Sequence, residues 1–226
     1  LTIDIGDKRT EILARQNLGL FFIKAGLADQ AMDMWQTALE ISREVRLRSG
    51  ECELLALQAL YYLHEGDMIM AEKLSRDALE IEKELGDERS DSDIRISLGP
   101  ALFGQQKYSE AEAEYRRVYE SCIKLNMINT DLDPLAGLAA IAFERAEHDS
   151  ARHYAEQLTD RLSEGTPIGA DEPFRVYLTC YRILEAYQDA RARSTLEKAF
   201  EDLQTWASTF ADPEHRRSYL NEVPVN

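Results

Sequence analysis

The stretch GLFFIKAGLADQA, residues 19–31, begins and ends on small residues twelve apart, with Gly26 near its middle. In steps of forty residues the same frame falls on ALYYLHEGDMIMA at 59–71, GPALFGQQKYSEA at 99–111 and AAIAFERAEHDSA at 139–151. A fifth copy, CYRILEAYQDARA at 180–192, comes one place late, as a single-residue insertion would produce. The chain is therefore a repeat array. Two small positions twelve apart, with a turn between them, suit two antiparallel helices whose backbones approach closely.

Outward from each frame, apolar residues recur at three- and four-residue intervals, the helical period. In the first copy these are Phe22, Trp35 and Ala38, matched by Tyr62, Ser75 and Ala78 in the second and by Leu102, Tyr115 and Val118 in the third. The fourth has Ala142, Ala155 and Leu158, and the fifth Ile183, Leu196 and Ala199. Only six prolines and no alternating β-branched run argue against any sheet.

A small residue at the eighth place, a bulky one at the eleventh, Ala at the twentieth and often an aromatic at the twenty-fourth resembles the tetratricopeptide repeat (TPR). The forty-residue period is longer than that family's unit of about 34, and is similar to the repeat regions of MalT-like bacterial regulators. Gln58, where Leu is usual, and Pro100 inside a helix depart from the pattern. A HEAT or armadillo array has a similar period, but pairing at twelve favours the tetratricopeptide reading. The resemblance implies an all-α, right-handed superhelical solenoid of about five helix hairpins. We expect one domain over 1–226, with repeats at 7–50, 51–90, 91–130, 131–170 and 171–211 and a C-terminal capping helix in 212–226.

Gly6, Gly86 and Asn126 fall at intervals of eighty and forty, where helix ends favour Gly or Asn. LTIDIGDKR at the start also resembles IEKELGDER at 81–89. Gly6 is thus expected to close a preceding helix, with the chain a segment of a longer protein. Leu18, Phe21 and Phe22 would then lie partly uncovered, and a dimer could form through that edge. At the other end, Asp212-Pro213 is a helix-start pair, and the helix it starts is expected to cover the last hairpin. This ending, with ARSTLEKAFEDLQTWAS before it, resembles repeat regions of large bacterial signalling proteins.

The resemblance turns the second, fifth, ninth and twelfth places of each first helix toward a concave groove. Copy one gives Leu13, Gln16, Leu20 and Ile23, and copy two Glu53, Ala56, Leu60 and Leu63. Copy three gives Asp93, Ile96, Pro100 and Phe103, copy four Asp133, Ala136, Ala140 and Phe143, and copy five Phe174, Tyr177, Tyr181 and Leu184. Glu53, Asp93 and Asp133 form either an acidic ladder for a basic peptide or carboxylates at helix starts, where the helix dipole favours them. Phe174, Tyr177 and Tyr181 form either an anchor for an apolar partner or core against Trp206. Pro100 removes a helical hydrogen bond at about 3 kcal/mol, so a kink is expected, as a hinge or as a fixed bend. The loop EGTPIGADEP at 164–173 is the longest linker. Chaperone-binding relatives grip a terminal carboxylate with Lys, Asn and Arg, but the matching places hold Gln16, Leu20, Leu57, Asp93 and Ser97, so no such clamp is expected.

With 42 acidic and 26 Lys and Arg residues the net charge is −16, which repels a nucleic-acid backbone. Cys52, Cys122 and Cys180 lack zinc-site spacing and are expected as buried thiols in a cytoplasmic protein. No stretch is long and apolar enough to span a bilayer. His64, His148, His153 and His215 are scattered, and no phosphate-binding glycine loop or nucleophile with its base is visible. No catalysis, metal or cofactor is expected. The remaining function is a protein-interaction scaffold that binds a peptide or helix in its groove. Its alternative is an intramolecular sensor, binding a small inducer or its own fused ATPase, cyclase, kinase or DNA-binding domain.

Overall fold

The computed structural model describes residues 5–124, 130–165, 170 and 172–222. Every regular element among them is a helix. In order these are α1 (Ile5–Lys24), α2 (Ala28–Glu44), α3 (Arg48–His64), α4 (Met68–Leu85), α5 (Glu88–Gly104), α6 (Tyr108–Lys124), α7 (Leu132–Glu144), α8 (His148–Glu164), α9 (Pro173–Ala186), α10 (Arg191–Ala207) and α11 (Pro213–Glu222). Odd-numbered α1 to α9 are the first helices of the five copies. The fold divides into two compact units, one of residues 1–105 with 212–224, the other of 106–211 with 225–226.

The hairpin turns share one backbone device. A residue in the left-handed conformation follows the first helix at Gly26, Gly66, Gln106, Ala146 and Gln188, with φ of 75, 77, 60, 55 and 56°. The next N–H then reaches back to a carbonyl five residues earlier, as Leu27 does to Phe22, Asp67 to Tyr62, Glu147 to Ala142 and Asp189 to Leu184. These bonds satisfy carbonyls that the helix end leaves open. Gln188 comes eight residues after Cys180 and four before Ala192, whereas the other four stand seven after and five before their small residues, so the fifth turn sits one place later within its frame. Helix starts use side chains and proline: Asp67 Oδ1 accepts the Met70 N–H at 3.0 Å, and Pro173 opens α9.

The frame residues are core. Ala31, Ala59, Ala71, Ala111, Ala139, Ala151 and Cys180 are fully buried. The close approach that the spacing requires is made at Gly19 against the Trp35 indole, where an added Cβ would lie 2.2 Å from Nε1. That indole N–H donates to the Gln16 carbonyl at 3.2 Å. Gly137 does the same for Tyr115 of the preceding hairpin, with a Cβ distance of 2.4 Å. Gly19 and Gly137 are thus each the seat of one large aromatic. Burying such a ring removes about 150–250 Å² from water.

One expectation about the ends changes. Gly6 lies inside α1, which starts at Ile5, and is not among the residues in the left-handed conformation. In a first helical turn the backbone N–H groups are unpaired anyway, so a glycine there costs about 1 kcal/mol or less. Residues 1–4 lie outside the described residues, as do Asn126, 166–169 and 171 of the long loop, and Val223. α11 starts at Pro213 as expected, with Asp212 Oδ1 accepting the Glu214 N–H at 2.7 Å. It also meets the first hairpin: Ser218 Oγ donates to the Gly26 carbonyl at 3.0 Å, and the Phe21 and His215 rings meet edge-on at 6.5 Å. A short helix settles on whichever apolar surface it can reach, and Leu18 and Phe21 offer one.

Helix α5 continues through Pro100 as one element from Glu88 to Gly104.

Candidate binding surface

Within the first unit α1 packs on α3 and α3 on α5, and within the second α7 packs on α9. No comparably extensive contact joins α2 to α4 or α8 to α10 among the described residues. First helices therefore crowd together on the inner side of each unit while second helices splay outward. The faces of α1, α3, α5, α7 and α9 are where a groove can lie.

The ninth place is the one that behaves alike in every copy. Leu20, Leu60, Pro100, Ala140 and Tyr181 are all half-buried and apolar or aromatic. The twelfth place divides: Leu63, Phe103 and Phe143 are half-buried, whereas Ile23 and Leu184 are in the core. At the fifth place Gln16, Ile96, Ala136 and Tyr177 are buried and only Ala56 is partly open. The helical register thus places the fifth residue between neighbouring helices, not on the open face.

Between α1 and α3 this face hollows into a cavity of about 320 Å³, walled by Arg9, Leu13, Gln16, Leu47, Ser49 and Glu53. Leu13 is 57 % exposed there. The Gln16 amide donates to Glu53 Oε2 at 2.8 Å, fixing one polar wall across the two helices. Arg9, Leu47 and Ser49 were not legible as site residues, because they lie outside the groove register, in the first turns of α1 and α3 or just before them.

Of the acidic ladder, Glu53 and Asp93 are exposed and Asp133 is buried. Glu53 is engaged by Gln16, and Asp93 is exposed in the first turns of α5. Asp133 is only 2 % exposed; it accepts the Glu172 N–H at 3.3 Å and sits 3.7 Å from the Arg175 guanidinium, tying α7 to α9. It lies in the first turn of α7 beside Pro134, so the helix-start reading describes it. Its neighbour Asp131 is held by both terminal nitrogens of Arg161 at 2.9 Å.

The aromatic row also resolves in favour of core. Tyr177 is 1 % exposed and donates its hydroxyl to Asp202 Oδ2 of α10 at 2.7 Å. Burial and the neighbouring Asp202 carboxylate both push its hydroxyl pKa up. Phe174 is buried with its ring edge-on to Trp206 at 5.6 Å. The groove assignment of Phe174 and Tyr177 is corrected accordingly: a second and a fifth place fall between α9 and α10. Tyr181 remains on the open face, its hydroxyl donating to Glu185 at 2.5 Å.

A second hollow, of about 380 Å³, lies where α8, α9 and the start of α10 meet. There the Arg152 guanidinium stands 4.3 Å over the Tyr187 ring, whose hydroxyl meets His148 Nδ1 at 2.8 Å. The Arg191 side chain and N–H hold Asp189 to a pKa of about 2. His153 contacts Gln157 instead. The three cysteines are buried free thiols, with burial pushing Cys52 up to about 12 and Cys180 also upward. Among the described residues no group of three or more His, Cys, Asp or Glu is placed to hold a metal, and no helix is long and apolar enough to cross a membrane.

Comparison with solved structures follows this geometry. BtubC (BKLC) from P. vanneervenii superposes with a TM-score of 0.63 at 19 % identity, over 92 % of this chain and 93 % of that one. A Podosopora anserina kinesin light chain structure with nearly identical TPR-like repeats gives 0.61 at 15 % identity, over 89 % and 97 %. The fold is TPR-like. No protein-family model matches the sequence, and no curated protein does. The departures at Gln58 and Pro100 are accommodated within this fold.

Proposed function

We propose that this TPR-like array is a non-catalytic scaffold that binds a peptide or helix of another protein on the inner faces of its first helices. The observation that carries this reading is the ninth-place row of the first unit. Leu20, Leu60 and Pro100 lie on mutually packed helices and stay half-open. Apolar side chains placed in register on successive helices, with a polar-walled cavity of about 320 Å³ beside them, suit an amphipathic segment laid across the helices. Phe103 and Leu63 extend the same surface. In the second unit Ala140, Phe143 and Tyr181 offer a smaller counterpart.

Net charge of −16 favours partners that are neutral or basic and disfavours direct nucleic-acid contact. The resemblance of the stretch ending in LEKAFEDLQTWAS supports a finer reading, the repeat region of a larger cytoplasmic bacterial signalling or transcription-regulatory protein. The second reading, an intramolecular regulatory array, is favoured by one observation: a segment of the chain itself, α11, docks on the first hairpin.

The test is site-specific photo-crosslinking in cells, with a benzophenone amino acid at Leu60 and, as control, at the outward-facing Glu80 of α4. A protein captured at 60, absent at 80 and lost from a Leu20→Asp/Leu60→Asp chain of unchanged helicity is the expected result. Equal capture at 60 and 80, or capture that survives the double substitution, would sink the groove assignment.

A further inference from the structure

We propose that the turn between α1 and α2 is a docking site for a short amphipathic helix, and that α11 is its intramolecular occupant. Release of α11 would open this surface to an external helix of the same pattern. The site is separate from the inner face described above.

Gly26, Gly66 and Gly86 are three glycines in the left-handed conformation, with φ near 76°. At Gly66 and Gly86 nothing lies within 4 Å of an added Cβ; these glycines serve only the backbone. At Gly26 an added Cβ would lie 2.7 Å from the Ser218 carbonyl oxygen and 3.0 Å from its Oγ. A second chain segment therefore rests against the bare turn. The Ser218 hydroxyl donates to the Gly26 carbonyl across 192 residues of sequence. His215, three residues earlier on the same face, meets the Phe21 ring, and Tyr219 is 6 % exposed. The opposite face, with Glu214, Arg216, Arg217 and Asn221, is open to solvent.

The contact is built to be reversible. A ten-residue helix is marginal by itself in water, and among the described side chains of α11 only Tyr219 is buried. Its tether holds it at a high effective concentration, so a modest intrinsic affinity keeps the site filled. Leu18 and Phe21 stay 45 and 48 % exposed beside it, so the apolar surface is wider than α11 covers. A competing helix needs a small hydroxyl residue against Gly26, an aromatic next to it, and a ring or apolar group one turn earlier to meet Phe21.

The experiment uses the full chain and a fluorescein-labelled peptide of residues 211–222, ADPEHRRSYLNE. Tyr219→Asp should release α11, because a carboxylate cannot remain in the buried position. Gly26→Asn keeps the turn, since Asn tolerates this backbone conformation, but puts a side chain where Ser218 sits. Fluorescence anisotropy is expected to show at least tenfold tighter peptide binding to Tyr219→Asp than to the unaltered chain, and none to Tyr219→Asp/Gly26→Asn. Independently, hydrogen exchange should show α11 amides exchanging at least tenfold faster in Gly26→Asn and unchanged in Gly66→Asn. Peptide binding that ignores Gly26→Asn, no binding to any variant, or equal α11 exchange in the two Asn variants would overturn the proposal. A dimer of the unaltered chain that becomes monomeric in Gly26→Asn would assign the contact to a second copy and overturn the intramolecular occupant.

Discussion

The five hairpin turns share one left-handed backbone position but not one residue, and the difference has a measurable price. Glycine holds it at 26 and 66, whereas Gln106, Ala146 and Gln188 hold it with φ of 55–60°. An L-residue there crowds its Cβ against the carbonyl, at roughly 1–2 kcal/mol, while glycine loses about 0.4–1 kcal/mol more backbone freedom on folding. The net expectation is that Ala146→Gly stabilises by about 0.5–1 kcal/mol, and that Gly66→Ala destabilises by about the same. Gly66 is the right reciprocal site because nothing lies within 4 Å of an added Cβ, so the change is purely conformational. Gly26→Ala should cost more than Gly66→Ala, the excess reporting the Ser218 contact at 2.7 Å. Urea and thermal unfolding followed by circular dichroism at 222 nm would read this as shifts of about 1–4 °C for a chain of this size. Gln106→Gly, Ala146→Gly and Gln188→Gly are far apart and should add. A destabilising Ala146→Gly together with a neutral Gly66→Ala would refute the strain argument, since both signs follow from one backbone angle.

Three further outcomes follow from buried or capping groups. Ser75 is fully buried where Trp35 stands in the first copy, and its hydroxyl has no hydrogen-bond partner among the described residues; Ser75→Ala should stabilise by about 1 kcal/mol in urea unfolding, the cost of an unsatisfied buried hydroxyl. Burial pushes Cys52 up to about 12 and raises Cys180, so a thiol reagent at pH 8 should label no cysteine of the folded chain, and all three after denaturation. Asp189, held near a pKa of about 2 by the Arg191 side chain and N–H, adds stability that is full above pH 4 and lost as pH falls toward 2. Asp189→Ala should therefore cost about 0.5–1 kcal/mol at pH 7, as loss of a partly exposed cap, and leave midpoints nearly equal to the unaltered chain at pH 2.

The repeat frame was legible because it depends on volume. Gly19 and Ala31 are small for a steric reason, the Trp35 ring and the close pair of backbones, and steric demands recur at fixed intervals. The hairpin turns were only half legible, since Gly26 and Gly66 announce themselves while Gln106, Ala146 and Gln188 adopt the same backbone without glycine. The aromatic row of α9 misled for a related reason. Phe174, Tyr177 and Tyr181 share one stripe, yet the stripe crosses from core to open face within two turns, and Tyr177 falls on the side that meets Asp202. Nothing local to α11 could reveal its seat, because Gly26 is 192 residues away from Ser218.

The ninth place combines uniform exposure with varied chemistry, and the two have one cause. Residues at the eighth and eleventh places must fit a partner helix, so they are held to small or bulky types by packing at close to crystal density. Leu20, Leu60, Pro100, Ala140 and Tyr181 are only partly buried and meet a weaker demand. Pro100 is one of them, partly exposed, and α5 continues through it. On the function proposed above, the partner is discriminated by these less constrained residues. Leu60→Ala should change partner affinity with little change in the unfolding midpoint. Tyr177→Ala, which removes a fully buried ring, should cost about 3–5 kcal/mol of stability and weaken binding only by unfolding the last hairpin.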